Sequence, residues 1–150
     1  MRSVKGFTLI ELMVAVALLA IALTLGFSSF GGSLERSRAD SDVNELQHVL
    51  SWARLQAINH SETVSVETVN ENDWTQAITI SRGGEVIRSL PGLSNGAAVE
   101  VTDDVDNLTF DGLGGLSSSD TALTFNYTRG NEVRALILCP TGRAQPGDEC

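Results

Sequence analysis

The sequence predicts an α+β fold: one long N-terminal helix, its first half of membrane-spanning length and its second half amphipathic, packed on an antiparallel β-sheet. Three observations predict it. A nearly uncharged apolar block stands close to the N-terminus, an apolar stripe at helical spacing follows, and the remainder is a series of short β-rich runs punctuated by glycine. With 150 residues the chain has room for one globular core and an anchor. Its formal charge of −9 gives a surface that repels nucleic acid unless the few cations cluster.

The block from Phe7 to Phe27 carries one charge, Glu11, and as a helix spans about 30 Å. Arg2 and Lys5 precede it and no cation follows until Arg36, a bias that places the N-terminus in the cytoplasm and the rest outside. It is longer than the h-region of a conventional signal peptide and lacks the small-residue cleavage site after it. A plain anchor leaves Glu11 unexplained, because an ionised carboxylate at the hydrocarbon costs a few kcal/mol and is normally kept for a partner.

The string Lys5-Gly6-Phe7-Thr8-Leu9-Ile10-Glu11-Leu12 closely resembles the type IV prepilin signature. The resemblance implies that a prepilin peptidase cuts between Gly6 and Phe7 and that Phe7 is then N-methylated. It also implies that Glu11, the fifth mature residue, pairs with the terminal amine of a neighbouring subunit during filament assembly. Charge pairing in a low dielectric offsets much of the desolvation of both ions, and the amine exists only after cleavage. The competing reading is a signal anchor with an incidental glutamate. Losing Arg2 and Lys5 with the leader takes two cations from the formal charge, from −9 to −11.

Ser28-Ser29-Phe30-Gly31-Gly32-Ser33 predicts a bend or melted turn, since each glycine weakens a helix by roughly 1 kcal/mol. From Leu34 to about Asn59, Ala39, Val43, Leu46, Leu50, Ala53 and Ala57 recur at spacings of four and three, and Trp52, Leu55 and Ile58 are expected to widen the buried face. The stripe is too short for a stable coiled coil and is followed by strand-like sequence, which favours a helix laid on its own sheet. Strands are expected at 63–69, 77–80, 85–90, 97–102, 107–110, 121–127 and 132–139. Arg82-Gly83-Gly84 and Arg129-Gly130-Asn131 are hairpin turns by composition.

This layout resembles the type IV pilin fold. Within it, Glu45-Leu46, the run Ala53-Arg54-Leu55-Gln56-Ala57-Ile58 and Val64-Ser65-Val66 resemble the GspH/FimT branch of minor pilins and pseudopilins, as does Leu138-Cys139-Pro140-Thr141-Gly142-Arg143 near the C-terminus. FimT-like proteins implicated in DNA uptake carry Gly-Arg-x-Arg there; this chain has Gly142-Arg143-Ala144-Gln145. One arginine neutralises one phosphate, so half a motif in an acidic domain weakens DNA binding sharply, and a solvated loop arginine is the favoured reading of Arg143.

Cys139 and Cys150 are the only cysteines, and a pair near a terminus suits a disulfide in an oxidising compartment; two thiols without nearby histidines are too few for zinc. Asp103-Asp104-Val105-Asp106 lacks the glycine and distal glutamate of a calcium loop and reads as an acidic turn. Gly112-Leu113-Gly114-Gly115-Leu116 lacks the lysine and helix of a phosphate cradle and reads as a flexible loop. His48 and His60 stand apart as surface residues, and no nucleophile and base set suggests catalysis. No enzymatic role, cofactor or metal is expected.

The resulting organisation is a cleaved leader at 1–6, a transmembrane and assembly helix at 7–27, a flexible break at 28–33 and a periplasmic domain at 34–150. The resemblance implies an inner-membrane, single-pass protein extracted into a pilus or pseudopilus. Its implied partners are other pilins or pseudopilins, the prepilin peptidase, the inner-membrane assembly platform and the lipid bilayer. The first functional expectation is a minor pilin of a type IV pilus supporting assembly, motility or DNA uptake. The alternative is the H-type pseudopilin of type II secretion. The least favoured is a DNA receptor acting through Arg143, Arg129 and Arg134.

Overall fold

A computed structural model describes residues 7–70, 72–103 and 105–150, with the side chains of 23–30 outside the described set. The expected leader at 1–6 therefore lies outside the described residues. The chain divides into two compact units, Met1–Leu34 and Glu35–Cys150. Its elements are α1 (Leu9–His60), β1 (Val64–Thr68), β2 (Ile78–Arg82), β3 (Glu85–Leu90), β4 (Ala97–Val101), β5 (Asn107–Phe110), β6 (Leu123–Arg129), β7 (Glu132–Leu138) and β8 (Ala144–Pro146).

In the first unit the described side chains from Phe7 to Ala22 are all exposed, large apolar ones included, so this stretch buries none of them within its own unit. Among the described residues no helix is long and apolar enough to cross a membrane. Part of the expected 7–27 span, the side chains from Ala22's successor Leu23 to Phe27, lies outside them. The bounds of α1 run through 28–33, where the sequence predicts a break.

In the second unit the expected stripe is buried in full: Ala39, Val43, Leu46, Leu50, Ala53 and Ala57. Val49 joins it and Trp52 packs at its margin. Leu55 and Ile58 correct the expectation, being 50% and 39% exposed. Leu55 stands two residues from both Ala53 and Ala57, about 200° round the helix from each, so it faces away from the sheets.

The helix covers two antiparallel four-stranded sheets rather than the single one expected. Their orders are β3-β2-β1-β5 and β4-β6-β7-β8. Pro91 follows β3 directly, and Leu93 donates its amide to the Thr75 carbonyl at 2.8 Å in the same register as Leu90 opposite Ile78. The next strand, β4, then pairs with β6, Val99 opposite Tyr127. Both predicted hairpins form with two-residue loops, Arg82 opposite Glu85 and Arg129 opposite Glu132. Gly83, Gly84 and Gly130 take φ of 58°, 83° and 54°, the left-handed conformation that such loops require. β8 is an element the sequence does not announce: three residues ending in Pro146, a residue an edge strand tolerates.

The core is continuous across the helix and both sheets. Trp74 and Phe125 meet edge to face at 5.2 Å, and the Trp74 indole N–H donates to the Val105 carbonyl at 2.8 Å. One polar group enters this core from the helix. Asp42 Oδ2 accepts from Tyr127 Oη at 2.6 Å and Ser94 Oγ at 2.5 Å, and Arg129 Nη1 stands 3.7 Å away. Arg129 also donates to Ser94 Oγ at 2.5 Å. Asp42 and Arg129 are 6% and 8% exposed, so each depends on the other for neutralisation. Burial first, and then the bond to Asp42, push the Tyr127 hydroxyl up to about 12.

Replacing Asp42 with alanine leaves Arg129 buried without its counter-charge, and is expected to cost about 3–5 kcal/mol in urea unfolding of the detergent-solubilised full chain. A loss below 1 kcal/mol would contradict the network's role. Because the Tyr127 value is raised on folding, its contribution is complete below the unfolded value near 10 and is lost as pH rises toward 12. Unfolding followed across that window should show an alkaline decline that Tyr127→Phe flattens.

Candidate functional site

Two regions hold the residues singled out by the sequence: the start of α1 and the C-terminal tail. At the helix start, Thr8 immediately precedes Leu9. The Glu11 amide donates to Thr8 Oγ1 at 3.4 Å, while the Thr8 amide and hydroxyl each reach Glu11 Oε2 at 3.5 Å. This is a reciprocal capping box, made with long bonds. Thr8 went unremarked in the sequence, although a threonine three places ahead of a glutamate before an apolar run is its signature. Glu11 is exposed and sits where the helix dipole favours an anion. Phe7, the residue expected to carry the methyl group, is 81% exposed. Gly6, on the other side of the expected cleavage, lies outside the described residues.

In the tail, Cys139 and Cys150 are joined, with Cα atoms 5.7 Å apart. Between them the chain makes a tight turn: the Gly142 amide donates to the Cys139 carbonyl at 2.8 Å and the Cys139 amide to the Arg143 carbonyl at 2.9 Å. The chain then runs back as β8, Ala144 opposite Leu138. Gly142 has φ 74° and lies so close to the Gly114 carbonyl that a Cβ would overlap that oxygen. The same oxygen accepts from Arg54 Nε at 2.9 Å, and the Leu116 amide donates to the Pro140 carbonyl at 2.9 Å.

The two segments that carry the GspH/FimT resemblance therefore meet in space. Ala53 and Ala57 are fully buried, Arg54 between them holds the Gly114 carbonyl, and Gly142 of the tail closes against that carbonyl from the other side. The loop at 112–116, expected to be flexible, is held closely instead. Asp111 Oδ1 accepts from the Leu113 and Gly115 amides at 2.9 and 2.8 Å, and Phe110 bridges to Leu116. A glycine-rich run looks loose in sequence because its restraints come from Arg54 and Pro140, distant in the chain.

Arg143 is exposed, and among the described residues its side chain makes no hydrogen bond or ion pair. The fold does not gather it with the other two arginines considered for nucleic-acid contact. Arg129 is buried on Asp42, and Arg134 is held by Asp40 at 2.9 Å and Glu132 at 3.0 Å. Those two flank the β6–β7 hairpin loop, whereas Arg143 follows the far end of β7, about 13 Å further along the strand. Among the described residues, no three His, Cys, Asp or Glu side chains converge as metal ligands.

The family described as Type II transport protein GspH matches residues 42–142, more than half of the chain and nearly all of its sheet-forming part. The chain belongs to the GspH family. The prokaryotic N-terminal methylation motif matches residues 1–27 of this GspH-family chain. Two Pseudomonas aeruginosa proteins named Fimbrial protein are 27% identical to it over 106 residues, 71% of the chain; the match spans 64% of their length. Among solved structures, it is similar to the P. aeruginosa type IV minor pilin FimU in two crystal forms. The TM-scores are 0.68 and 0.63 at 24% identity, with 76% and 73% of this chain and 91% and 92% of FimU covered. The α+β type IV pilin fold expected from the sequence is thus the fold of the molecule.

Gly142→Ala should loosen the tail through both strain and overlap, lowering the melting temperature by several degrees; an unchanged melt would show that Gly114 simply moves aside. Reduction of Cys139–Cys150 releases a ring of about a dozen residues, worth roughly 3 kcal/mol in the chain-entropy model, and should lower the melt by about 10 °C. Thermal unfolding with and without reductant measures it.

Proposed function

We propose that the chain is a structural subunit of a type IV pilus, a minor pilin, anchored in the inner membrane by residues 7–27 before extraction into the filament. The observation that carries this reading is the likeness of the globular unit to the minor pilin FimU, joined in one chain to the N-terminal methylation motif. Cleavage after Gly6 would free the Phe7 amine four residues ahead of Glu11. The long Thr8–Glu11 contacts leave that carboxylate able to exchange them for a charged amine on a neighbouring subunit. Residues 1–6 would act as the leader, 28–33 as a compliant stretch and 34–150 as the periplasmic domain. The partners would be other pilins, the peptidase, the assembly platform and the bilayer.

A second reading, a type II secretion pseudopilin, is favoured by the name of the matched family. Deleting the gene in its host and measuring pilus-dependent motility, transformation and exoprotein release side by side separates the two. Loss of motility or transformation with secretion intact supports the pilus reading, and loss of secretion alone supports the pseudopilus. Glu11→Ala should leave the protein membrane-inserted while cutting its recovery in sheared filaments several-fold; undiminished recovery would show that charge pairing is dispensable.

A further inference from the structure

The connection from β3 to β4 ends in a turn, Ser94-Asn95-Gly96-Ala97. The Ala97 amide donates to the Ser94 carbonyl at 3.2 Å, and Gly96 takes φ 90°, as the third position of a type II turn requires. Asn95 and Gly96 are both exposed. Among the described residues, neither the Asn95 side chain nor the Gly96 amide makes a hydrogen bond. A Cβ placed on Gly96 would meet nothing within 4 Å, so this flank of the turn is open to solvent.

An asparagine followed by glycine has a chemistry of its own. The asparagine Cγ can close a five-membered ring with the amide nitrogen of the next residue, and a side chain on that residue hinders the approach. Asn95 is the only asparagine in the sequence with glycine after it. The one Asp-Gly pair, Asp111-Gly112, is restrained: Asp111 Oδ1 accepts from the Leu113 and Gly115 amides, and Gly112 packs against the Ser61 backbone. Asn95 and Gly96 have neither restraint.

The same turn is tied to the buried network at both ends. Ser94 Oγ donates to Asp42 Oδ2 and accepts from Arg129 Nη1, each at 2.5 Å, and the Ser94 carbonyl accepts from that guanidinium at 3.4 Å. Ala97 stands opposite Arg129 in the ladder of β4 and β6. An extra backbone atom between Ser94 and Ala97 must therefore be taken up by displacing Ser94 or the first pair of the ladder.

We propose that Asn95 is a site of spontaneous backbone modification, converting to isoaspartate as the protein ages and loosening Ser94 from Asp42 and Arg129. Gly96 N gives its proton to a solvent base and bonds to Asn95 Cγ. The Cγ–Nδ2 bond breaks, ammonia leaves and a succinimide ring closes. Water then opens the ring. Cleavage at the Asn95 main-chain carbonyl leaves the chain running through Cβ and Cγ, one methylene longer, with a free α-carboxylate; cleavage at Cγ gives ordinary aspartate. Nothing is oxidised or reduced, and water is the only co-reactant. The added methylene shifts Ser94 against its partners, and the new carboxylate brings a second negative charge next to the residue that Arg129 holds.

The test holds the detergent-solubilised full chain at physiological temperature for days. Peptide mapping, with fragmentation that separates isoaspartate from aspartate, compares Asn95 with the exposed Asn59 and Asn107, and each time point is melted. The expected result is isoaspartate in excess over aspartate at position 95, formed many-fold faster than either product at the other two positions, with the modified fraction melting several degrees lower. Asn95→Gln, whose longer side chain would have to close a six-membered ring, should keep its melting temperature through the same incubation. Conversion of Asn95 no faster than that of Asn59 and Asn107 would overturn the site. A modified chain that melts like fresh protein, or an Asn95→Gln chain that loses stability at the same rate, would overturn its effect on the network.

Discussion

The stripe of small and branched side chains from Ala39 to Ala57 is the surface on which both sheets are laid. Alanine at positions 39, 53 and 57 lets the strands approach the helix closely, and Leu46 and Leu50 are buried in the same core. A helix can satisfy such a stripe in many rotational and axial settings, because apolar contact is not directional. Asp42 removes that freedom. Its carboxylate is complete only when Tyr127 on β6, Ser94 before β4 and Arg129 at the hairpin are all in place, so one residue fixes the helix relative to the second sheet.

How much of this was legible beforehand follows the range of each interaction. The helix stripe and seven of the strands depend on local periodicity, and the hairpin loops on glycines that only a left-handed backbone requires. The division into two sheets depends on partner choice, which β-rich runs of similar composition do not encode. The Asp42 network could not be read because an aspartate between Ser41 and Val43 resembles any surface acid until Arg129, far along the chain, is brought to it. Leu55 and Ile58 misled for the opposite reason: apolar residues on a helix look like core unless their angle is reckoned against the alanines.

The candidate sites show the same division. Glu11, Cys139 and Cys150 stand out in sequence because each carries unusual chemistry for its surroundings, whereas Phe7 was singled out only by the resemblance to the prepilin signature. The junction of Arg54, Gly114 and Gly142 was visible only as a family likeness in two separate segments, and the geometry supplies its physical cause. One guanidinium holds a carbonyl against which only a glycine can close. This junction stiffens the tail that the disulfide closes, and so turns the C-terminal region into a rigid feature of the surface.

An exposed carboxylate at the start of the helix suits the proposal of a subunit built into a filament. The most direct test is mass spectrometry of the chain recovered from sheared filaments. A mature N-terminus at Phe7, carrying one added methyl group, is the predicted result. Filament-borne chain that still begins at Met1 would contradict the central claim, because the amine that Glu11 is proposed to meet would not exist.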